Sequence, residues 1–366
     1  MPIYTGADVR EDRTIDCDVC IVGSGAGGAV VAERLAARGK SVVVLEDGGF
    51  HTSDRFDLQE RHMTPRLYQE LGGRATADNS IMIAQGRAVG GSTVVNWTTC
   101  FRTPEAVFEH WAEHHRVEGP THEALVPHWE RIEQRLNVIK MRFEQVNRNN
   151  RVTWDGLERL GWHKDLLSRN VKNCAHTGYC GVGCAIDAKQ SMLVTFLPDA
   201  VRAGADIYAN AWVERVVTDG RRVKGVVARV RDPETDRRNG KTLTVNARVT
   251  VLAAGGINTP AILLRSGLDA NGRTGMRTFL HPAVGATGVH TDRTDPFIGS
   301  PQYVYSDEHR NRGEGKIDFL IEGAPVFPAS TAAFNAVLAE EKQAMLSLMP
   351  HLSLTGALLC DGFDTS

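Results

Sequence analysis

The stretch CDVCIVGSGAGG, residues 17–28, decides the fold. Its first half, residues 17–23, is a short run rich in valine and isoleucine, which predicts a buried parallel strand. Residues 29–38 are rich in alanine and leucine and predict a helix. A second apolar run over residues 41–45 then predicts the next strand. Strand, glycine turn, helix and strand in this order form a βαβ unit.

The glycines of this unit have the spacing GxGxxG, which predicts a dinucleotide-binding loop. Gly23 allows the tight turn, Gly25 lets the backbone approach a pyrophosphate, and Gly28 lets helix and strand pack closely. The N–H groups at the start of the helix bind the phosphates. Glu46 ends the second strand, where a carboxylate accepts hydrogen bonds from ribose hydroxyls. The alternative is a plain glycine-rich turn, and the loop alone does not distinguish FAD from NAD.

Length and composition narrow the class of protein. A chain of 366 residues predicts two domains, and 42% hydrophobic with 23% charged residues are typical of a soluble globular α/β protein. The net charge of -2 gives no electrostatic reason to bind nucleic acid or an anionic membrane. We therefore expect a small-molecule partner.

The sequence predicts a cytoplasmic protein without a transmembrane segment. Acidic residues precede the first apolar run, so the start does not match a secretory signal. The longest uncharged stretch, residues 343–360, is shorter than the roughly 20 residues that a bilayer requires. Seven cysteines, an odd number, indicate reduced thiols rather than a disulfide framework.

Two later stretches contain further glycine motifs. Residues 86–96, GRAVGGSTVVN, combine a flexible backbone with hydrogen-bonding side chains that can face a cofactor. Three strand-like runs over residues 212–251 predict a β-meander. The meander leads into residues 255–267, GGINTPAILLRSG, where Thr259 is placed to cap a helix.

Together with the glycine loop, these motifs resemble the glucose-methanol-choline (GMC) family of flavoprotein oxidoreductases. Residues 86–96 match the family signature GR-x-x-GGST-x-x-N, and residues 255–267 match the signature G-x-I-x-TP-x-x-LL-x-SG. The chain departs at Gly256, where alanine is usual, and at Asp269, where glycine is usual. The resemblance implies an α/β fold: a Rossmann-like FAD-binding domain with an interleaved α+β substrate or cap domain.

The resemblance implies FAD as the cofactor and a set of residues that bind it. Some members attach FAD covalently through a histidine before the asparagine of the first signature, and Val95 at that position implies noncovalent FAD. The expected cofactor-binding residues are Gly23, Ser24, Gly25, Ala26, Gly27, Gly28, Glu46, Arg87, Gly90, Gly91, Ser92, Thr93, Asn96, Val213, Ala254 and Gly255.

The resemblance also implies a division of the chain. We expect residues 1–105 and 172–283 to form the FAD-binding domain, residues 106–171 a helical cap or substrate region, and residues 284–366 the start of a substrate-binding domain that is C-terminally incomplete. The family's late catalytic histidine segment has no counterpart here. His281 resembles the structural His-Pro motif, and no catalytic residue is assigned.

Three functions remain open from the sequence. The first is an FAD-dependent alcohol dehydrogenase or oxidase that acts on a CH–OH donor, with hydride transfer to flavin N5. The second is a truncated, inactive FAD-binding remnant, and the third is an NAD-linked dehydrogenase that rests on the loop and Glu46 alone. The sequence leaves open which alcohol is oxidised, which acceptor takes the electrons, and the oligomeric state.

Three cysteines lie close together in NCAHTGYCGVGC, residues 173–184. Cys174, Cys180 and Cys184 have a spacing at which three thiolates can bind an iron–sulfur cluster or zinc. The alternative is a glycine-rich loop of reduced cysteines, since the loop has no CxxC pair. The sequence does not decide between them, and we expect no metal site.

Overall fold

The computed structural model describes residues 3–269, 271–276, 278–310, 317–328 and 339–361. Their strands are β1 (Ile3–Tyr4), β2 (Arg13–Val22), β3 (Val42–Leu45), β4 (Thr99–Cys100), β5 (Val138–Lys140), β6 (Asp165–Leu166), β7 (Ser168–Asn170), β8 (Asp206–Tyr208), β9 (Ala211–Asp219), β10 (Arg222–Arg231), β11 (Arg238–Leu252), β12 (Ala283–Val289), β13 (Val304–Ser306), β14 (Phe319–Gly323) and β15 (Leu352–Leu359).

The α-helices of the same residues lie between these strands. They are α1 (Ala26–Ala36), α2 (Glu60–Leu67), α3 (Glu105–His115), α4 (His122–Arg135), α5 (Arg148–Leu160), α6 (Phe196–Arg202), α7 (Gly255–Arg265) and α8 (Ala339–Leu348). Within the described residues, no helix combines the length and the apolar character that crossing a membrane requires.

A seven-stranded sheet has the order β1-β8-β3-β2-β11-β10-β9. Its first five strands are parallel, and β10 and β9 extend it antiparallel, as the predicted β-meander requires. β2 begins earlier than predicted, at Arg13, because β11 pairs with it in register from Arg13 to Val22. The central sheet confirms the Rossmann-like α/β fold.

The two faces of this sheet carry separate apolar cores, because successive side chains of a strand point to opposite faces. Val19 and Ile21 of β2 pack in a core with α1 and α6, whereas Cys20 and Val22 pack in a core that includes Ile262 of α7. Burial on both faces explains why β3 consists only of the apolar residues Val42–Leu45.

Two smaller sheets form the rest of the described chain. One has the order β12-β15-β14-β13-β6, with antiparallel pairs and α5 packed against it. The other has the order β4-β7-β5. Within residues 106–171, where a helical region was expected, α4 ends at Arg135 and is followed by β5, Val138–Lys140, which pairs with β7.

Candidate functional site

The glycine loop connects β2 to α1 with little space for side chains. Gly23 has a φ of +99°, and a Cβ atom there would lie 2.4 Å from the carbonyl oxygen of Ala253. At Gly28 a Cβ atom would lie 1.9 Å from the carbonyl oxygen of Gly23. The helix begins after Gly25, which has no side chain to cap it. Its first-turn N–H groups therefore lack a side-chain cap and are available to bind an anion.

Glu46 lies at the carboxyl end of β3 and is 7% exposed. Its Oε2 accepts hydrogen bonds from the backbone N–H of Ser24 at 3.0 Å and from its hydroxyl at 2.7 Å, while Oε1 accepts from Gly48 N–H at 2.9 Å. Burial raises the pKa of Glu46, and these hydrogen bonds oppose that rise. The carboxylate thus anchors the glycine loop as well as facing the cleft.

The glycine motif at residues 86–96 contains a 3-10 turn, Gly91–Val94, whose hydroxyl groups form hydrogen bonds with backbone groups. Thr93 Oγ1 donates to the carbonyl of Gly90 at 2.6 Å and accepts from Met192 N–H at 3.0 Å. Ser92 Oγ accepts from Gly86 N–H at 2.9 Å. These side chains, which we expect to bind the cofactor, therefore also stabilise the turn.

Arg87 is held by two carboxylates. Its guanidinium contacts Asp47 at 2.8 Å and Asp236 at 2.6 Å, and Arg231 contacts the same Asp47 at 3.1 Å. The side chain of Arg87 is 11% exposed. Its charge is thus neutralised within the protein, so Arg87 shapes one wall of the cleft rather than offering a free cation.

These elements enclose a cleft of about 990 Å³ at the carboxyl ends of β2, β3 and β11, which we call the cofactor cleft. Ligand sites in α/β sheets lie at this edge. Four of the predicted residues do not line it: Ser24, Gly28 and Gly90 are buried, and Asn96 is exposed elsewhere. The predicted residues that line it are Gly23, Gly25, Ala26, Gly27, Glu46, Arg87, Gly91, Ser92, Thr93, Val213, Ala254 and Gly255.

A further cluster on the wall of the cleft joins Asn258, a residue of the motif at residues 255–267, to Arg74 and Gln85, which lie outside the motifs. Arg74 donates to Gln85 Oε1 at 2.6 Å and to Asn258 Oδ1 at 3.1 Å. These contacts join the segment after α2 to the first turn of α7. The motif does not signal the pairing of Asn258 with Arg74, because the two residues lie 184 positions apart.

A second cavity of about 860 Å³, which we call the apolar cavity, lies beside the cofactor cleft. Ile83 lines both. Trp97 and Phe327 stack on its wall with ring centroids 5.3 Å apart. Its other apolar lining side chains include Met82, Val182, Val289, Val326, Met345, Leu348, Leu352 and Leu354.

Comparison with known families identifies this arrangement. The family model described as GMC oxidoreductase matches residues 64–283. A second family model, an NAD(P)-binding Rossmann-like domain, matches residues 21–55. The chain belongs to the GMC oxidoreductase family. The family assignment confirms the resemblance that the three motifs indicate.

Several relatives of this GMC oxidoreductase align over most of it. An uncharacterised GMC-type oxidoreductase from Mycobacterium tuberculosis is 35% identical over 349 residues, 94% of this chain and 53% of the relative. A long-chain-alcohol oxidase from Arabidopsis thaliana is 33% identical over 333 residues, 88% of this chain and 44% of the relative. The chain thus spans about half the length of the curated relatives that it matches.

Solved structures show the same fold. A formate oxidase variant from Aspergillus oryzae superposes with a TM-score of 0.63 at 14% identity, over 95% of this chain and 73% of that one. A pyridoxine 4-oxidase superposes with a TM-score of 0.60 at 18% identity, over 93% of this chain and 71% of that one. At these identities the likeness concerns the fold alone.

Membership of the GMC oxidoreductase family implies FAD, which decides between the two dinucleotides that the glycine loop left open. The cleft of this chain fits the group: the open first turn of α1 suits a pyrophosphate, and Glu46 suits a ribose. Its volume lies at the upper end of the range of about 300–1,000 Å³ that ligand pockets have.

The three cysteines of residues 173–184 lie in a loop that packs against the turn Gly91–Val94. Cys174, Cys180 and Cys184 line a cavity of about 20 Å³. Their sulfur atoms accept hydrogen bonds from His176 N–H, Arg169 Nη2 and Lys189 N–H at 3.4, 3.6 and 3.4 Å. Burial raises the pKa of Cys174. In the part of the chain that the structure describes, no group of three His, Cys, Asp or Glu side chains is arranged to hold a metal ion.

Proposed function

We propose that this GMC oxidoreductase binds FAD noncovalently and oxidises the CH–OH group of an apolar alcohol. The observation that carries the proposal is the contact between the two cavities through Ile83. The shared residue makes the two cavities neighbours, and hydride transfer from a carbinol carbon to flavin N5 requires a substrate site next to the cofactor site.

The lining of the apolar cavity supports an apolar substrate. Aromatic and aliphatic side chains dominate it, and the stacked pair Trp97 and Phe327 adds a flat apolar surface. Burial of each methylene group of an alkyl chain contributes about 0.8 kcal/mol. Relatives that are named long-chain-alcohol oxidases point to the same class of substrate.

FAD supplies the hydride-accepting chemistry, and the residues of this chain orient it. The glycine loop and Glu46 would hold the nucleotide half, and Gly91, Ser92 and Thr93 also line the cleft and would contact the cofactor. Val95 is 5% exposed and aliphatic, so it offers no nucleophile for a covalent link. Acid precipitation of the FAD-loaded protein tests this: noncovalent FAD stays in the supernatant, whereas covalent FAD precipitates with the chain.

Turnover tests the proposed reaction. We expect the FAD-loaded chain to reduce dichlorophenolindophenol with dodecanol and to show no comparable rate with glucose, because a sugar does not match the apolar lining. A rate with glucose that equals or exceeds the rate with dodecanol overturns the assigned substrate class. The dye replaces the natural electron acceptor in this assay.

The second candidate is an FAD-binding chain without turnover. It is favoured by one observation: among the described residues that line the apolar cavity, there is no histidine to act as a base. His281 is exposed in a loop. FAD binding without turnover of dodecanol or of any other alcohol supports this candidate.

The predicted domain boundaries and location stand as proposals. The FAD-binding parts at residues 1–105 and 172–283 provide the main sheet, which supports the proposed division. A cytoplasmic location is supported by the seven cysteines, all of which are free thiols in the structure.

A further inference from the structure

Lys189 is a buried cation without a carboxylate partner among the described residues. It is 3% exposed, and no ion pair of those residues includes it. Burial lowers the pKa of Lys189 to about 8, so the ammonium form still predominates at neutral pH. A buried charge without a counter-ion costs stability, so a specific set of hydrogen bonds has to offset that cost.

The ammonium of Lys189 finds these hydrogen bonds in three backbone carbonyls. It donates to Val94 at 2.8 Å, to Asn96 at 2.6 Å and to Cys180 at 2.6 Å. A lysine ammonium has three donors on one atom, and all three are used here. An arginine spreads its donors over a planar fork and does not reproduce this arrangement.

The three carbonyls lie next in the chain to residues that line the two cavities. Val94 ends the turn Gly91–Val94, whose earlier residues line the cofactor cleft. Asn96 precedes Trp97, and Cys180 precedes Gly181, both of which line the apolar cavity. A Cβ atom on Gly181 would lie 2.3 Å from the Trp97 ring, so these two walls are in direct contact.

The backbone that carries Lys189 is itself fixed. Lys189 forms an isolated β-bridge with Val171, and its N–H donates to Cys184 Sγ at 3.4 Å. Next to it, Gln190 N–H donates to the carbonyl of Asn170 at 2.9 Å. The side chain thus extends from a rigid base to the three carbonyls.

We infer that Lys189 is a positioning residue that fixes the wall of the apolar cavity against the cofactor cleft. It thereby sets where a bound substrate lies relative to the flavin. The inference rests on the proposed function, because it requires both cavities to be filled at once.

The test uses the FAD-loaded chain and dodecanamide, an unreactive analogue of a long-chain alcohol. K189M keeps the apolar stem and removes the three donors. K172M is the matched control, because Lys172 is exposed and lies on the neighbouring backbone, where its N–H donates to the carbonyl of Ala188 at 2.8 Å. The readouts are FAD affinity by fluorescence titration and the visible difference spectrum of the flavin when dodecanamide saturates the protein.

We expect K189M to bind FAD within about threefold of the unaltered chain, a small change in binding free energy. Its flavin difference spectrum on addition of dodecanamide falls by at least about half, while K172M keeps the full spectrum. A full difference spectrum in K189M overturns the inference. A K189M chain that no longer folds, judged by far-ultraviolet circular dichroism, also overturns it, because Lys189 would then hold the whole fold.

A second variant separates hydrogen bonding from charge. In K189A, propylammonium replaces the missing part of the side chain and is expected to restore the difference spectrum. Tetramethylammonium has the same charge without N–H groups and is expected to restore nothing, whereas equal rescue by both ions contradicts the inference. If the unaltered chain shows no spectral response to dodecanamide, the proposed substrate class fails instead, so the two failures are distinguishable.

Discussion

The Ser24 hydroxyl donates to Glu46 Oε2 at 2.7 Å and accepts from Gly90 N–H at 2.9 Å. A single buried side chain therefore joins the glycine loop, the carboxylate that faces the ribose position and the second glycine motif. Because these three segments form adjacent walls of the cofactor cleft, their relative positions depend on this hydroxyl.

Replacing Ser24 tests this relationship. S24A leaves the buried Glu46 carboxylate short of one donor, which is expected to cost about 1–3 kcal/mol of unfolding free energy and to weaken FAD binding. Urea denaturation and FAD titration measure the two effects. S347A is the control, because Ser347 is exposed and its hydroxyl donates to the carbonyl of Gln343 in its own helix. The relationship is wrong if S24A matches S347A in both measurements.

Arg87 and Asp236 are expected to act as a unit. Because the guanidinium of Arg87 contacts Asp236 at 2.6 Å, R87M and D236N each remove the same ion pair. The double variant R87M/D236N is then less destabilised than the sum of the single variants, with a coupling energy of about 0.5–3 kcal/mol. Urea denaturation of the four chains measures it. Additive effects would show that the pair contributes nothing.

Glu322 is expected to make stability depend on pH. It is 3% exposed, and burial raises its pKa to about 7, although Gln302 Nε2 donates to it at 2.6 Å. An unfolded glutamate ionises near pH 4.3, so between about pH 4.3 and 7 the folded state holds a proton that the unfolded state releases. Stability therefore falls as the pH rises through this window.

The variant E322Q removes this titration. Through Glu322, the unaltered chain is expected to lose on the order of 3 kcal/mol of unfolding free energy between about pH 4.5 and pH 8. E322Q is expected to lack this part of the pH dependence. Urea denaturation at both pH values measures it, with E158Q as the control because the Glu158 side chain is 64% exposed. The same pH dependence in E322Q as in the unaltered chain contradicts the assignment to Glu322.

Met345 lies on the lining of the apolar cavity and provides a test of chain length. M345W fills part of the cavity, so we expect the alcohol with the highest kcat/KM to become shorter by several carbons, because the removed space no longer accommodates methylene groups. Rates with a series from hexanol to hexadecanol measure this shift. M276W is the control, since Met276 is 65% exposed. If both variants prefer the same chain length, the alkyl chain does not bind in the apolar cavity.

The glycine loop could be predicted because its determinants are local. Gly23, Gly25 and Gly28 follow one another in the chain, and the strand before them and the helix after them carry their own apolar patterns. Glu46 could be predicted for the same reason, because it comes directly after the next strand. Within such a unit, backbone geometry determines the position of each residue.

Contacts between distant segments could not be predicted. Arg87 finds Asp236 across 149 positions, and Lys189 finds Val94 across 95. Arg87 was predicted to bind the cofactor, but its ion pairs with Asp47 and Asp236 were not predicted. No motif includes Lys189. The apolar cavity likewise joins segments from Glu60 to Leu354, which only the folded chain brings together.

The central claim is that FAD and an apolar alcohol lie side by side in this chain. Anaerobic mixing of the FAD-loaded protein with dodecanol, followed in the visible flavin bands, tests it most directly. The account predicts that dodecanol bleaches these bands and that glucose leaves them unchanged. Bands that remain unchanged with dodecanol, or a chain that does not bind FAD, would contradict it.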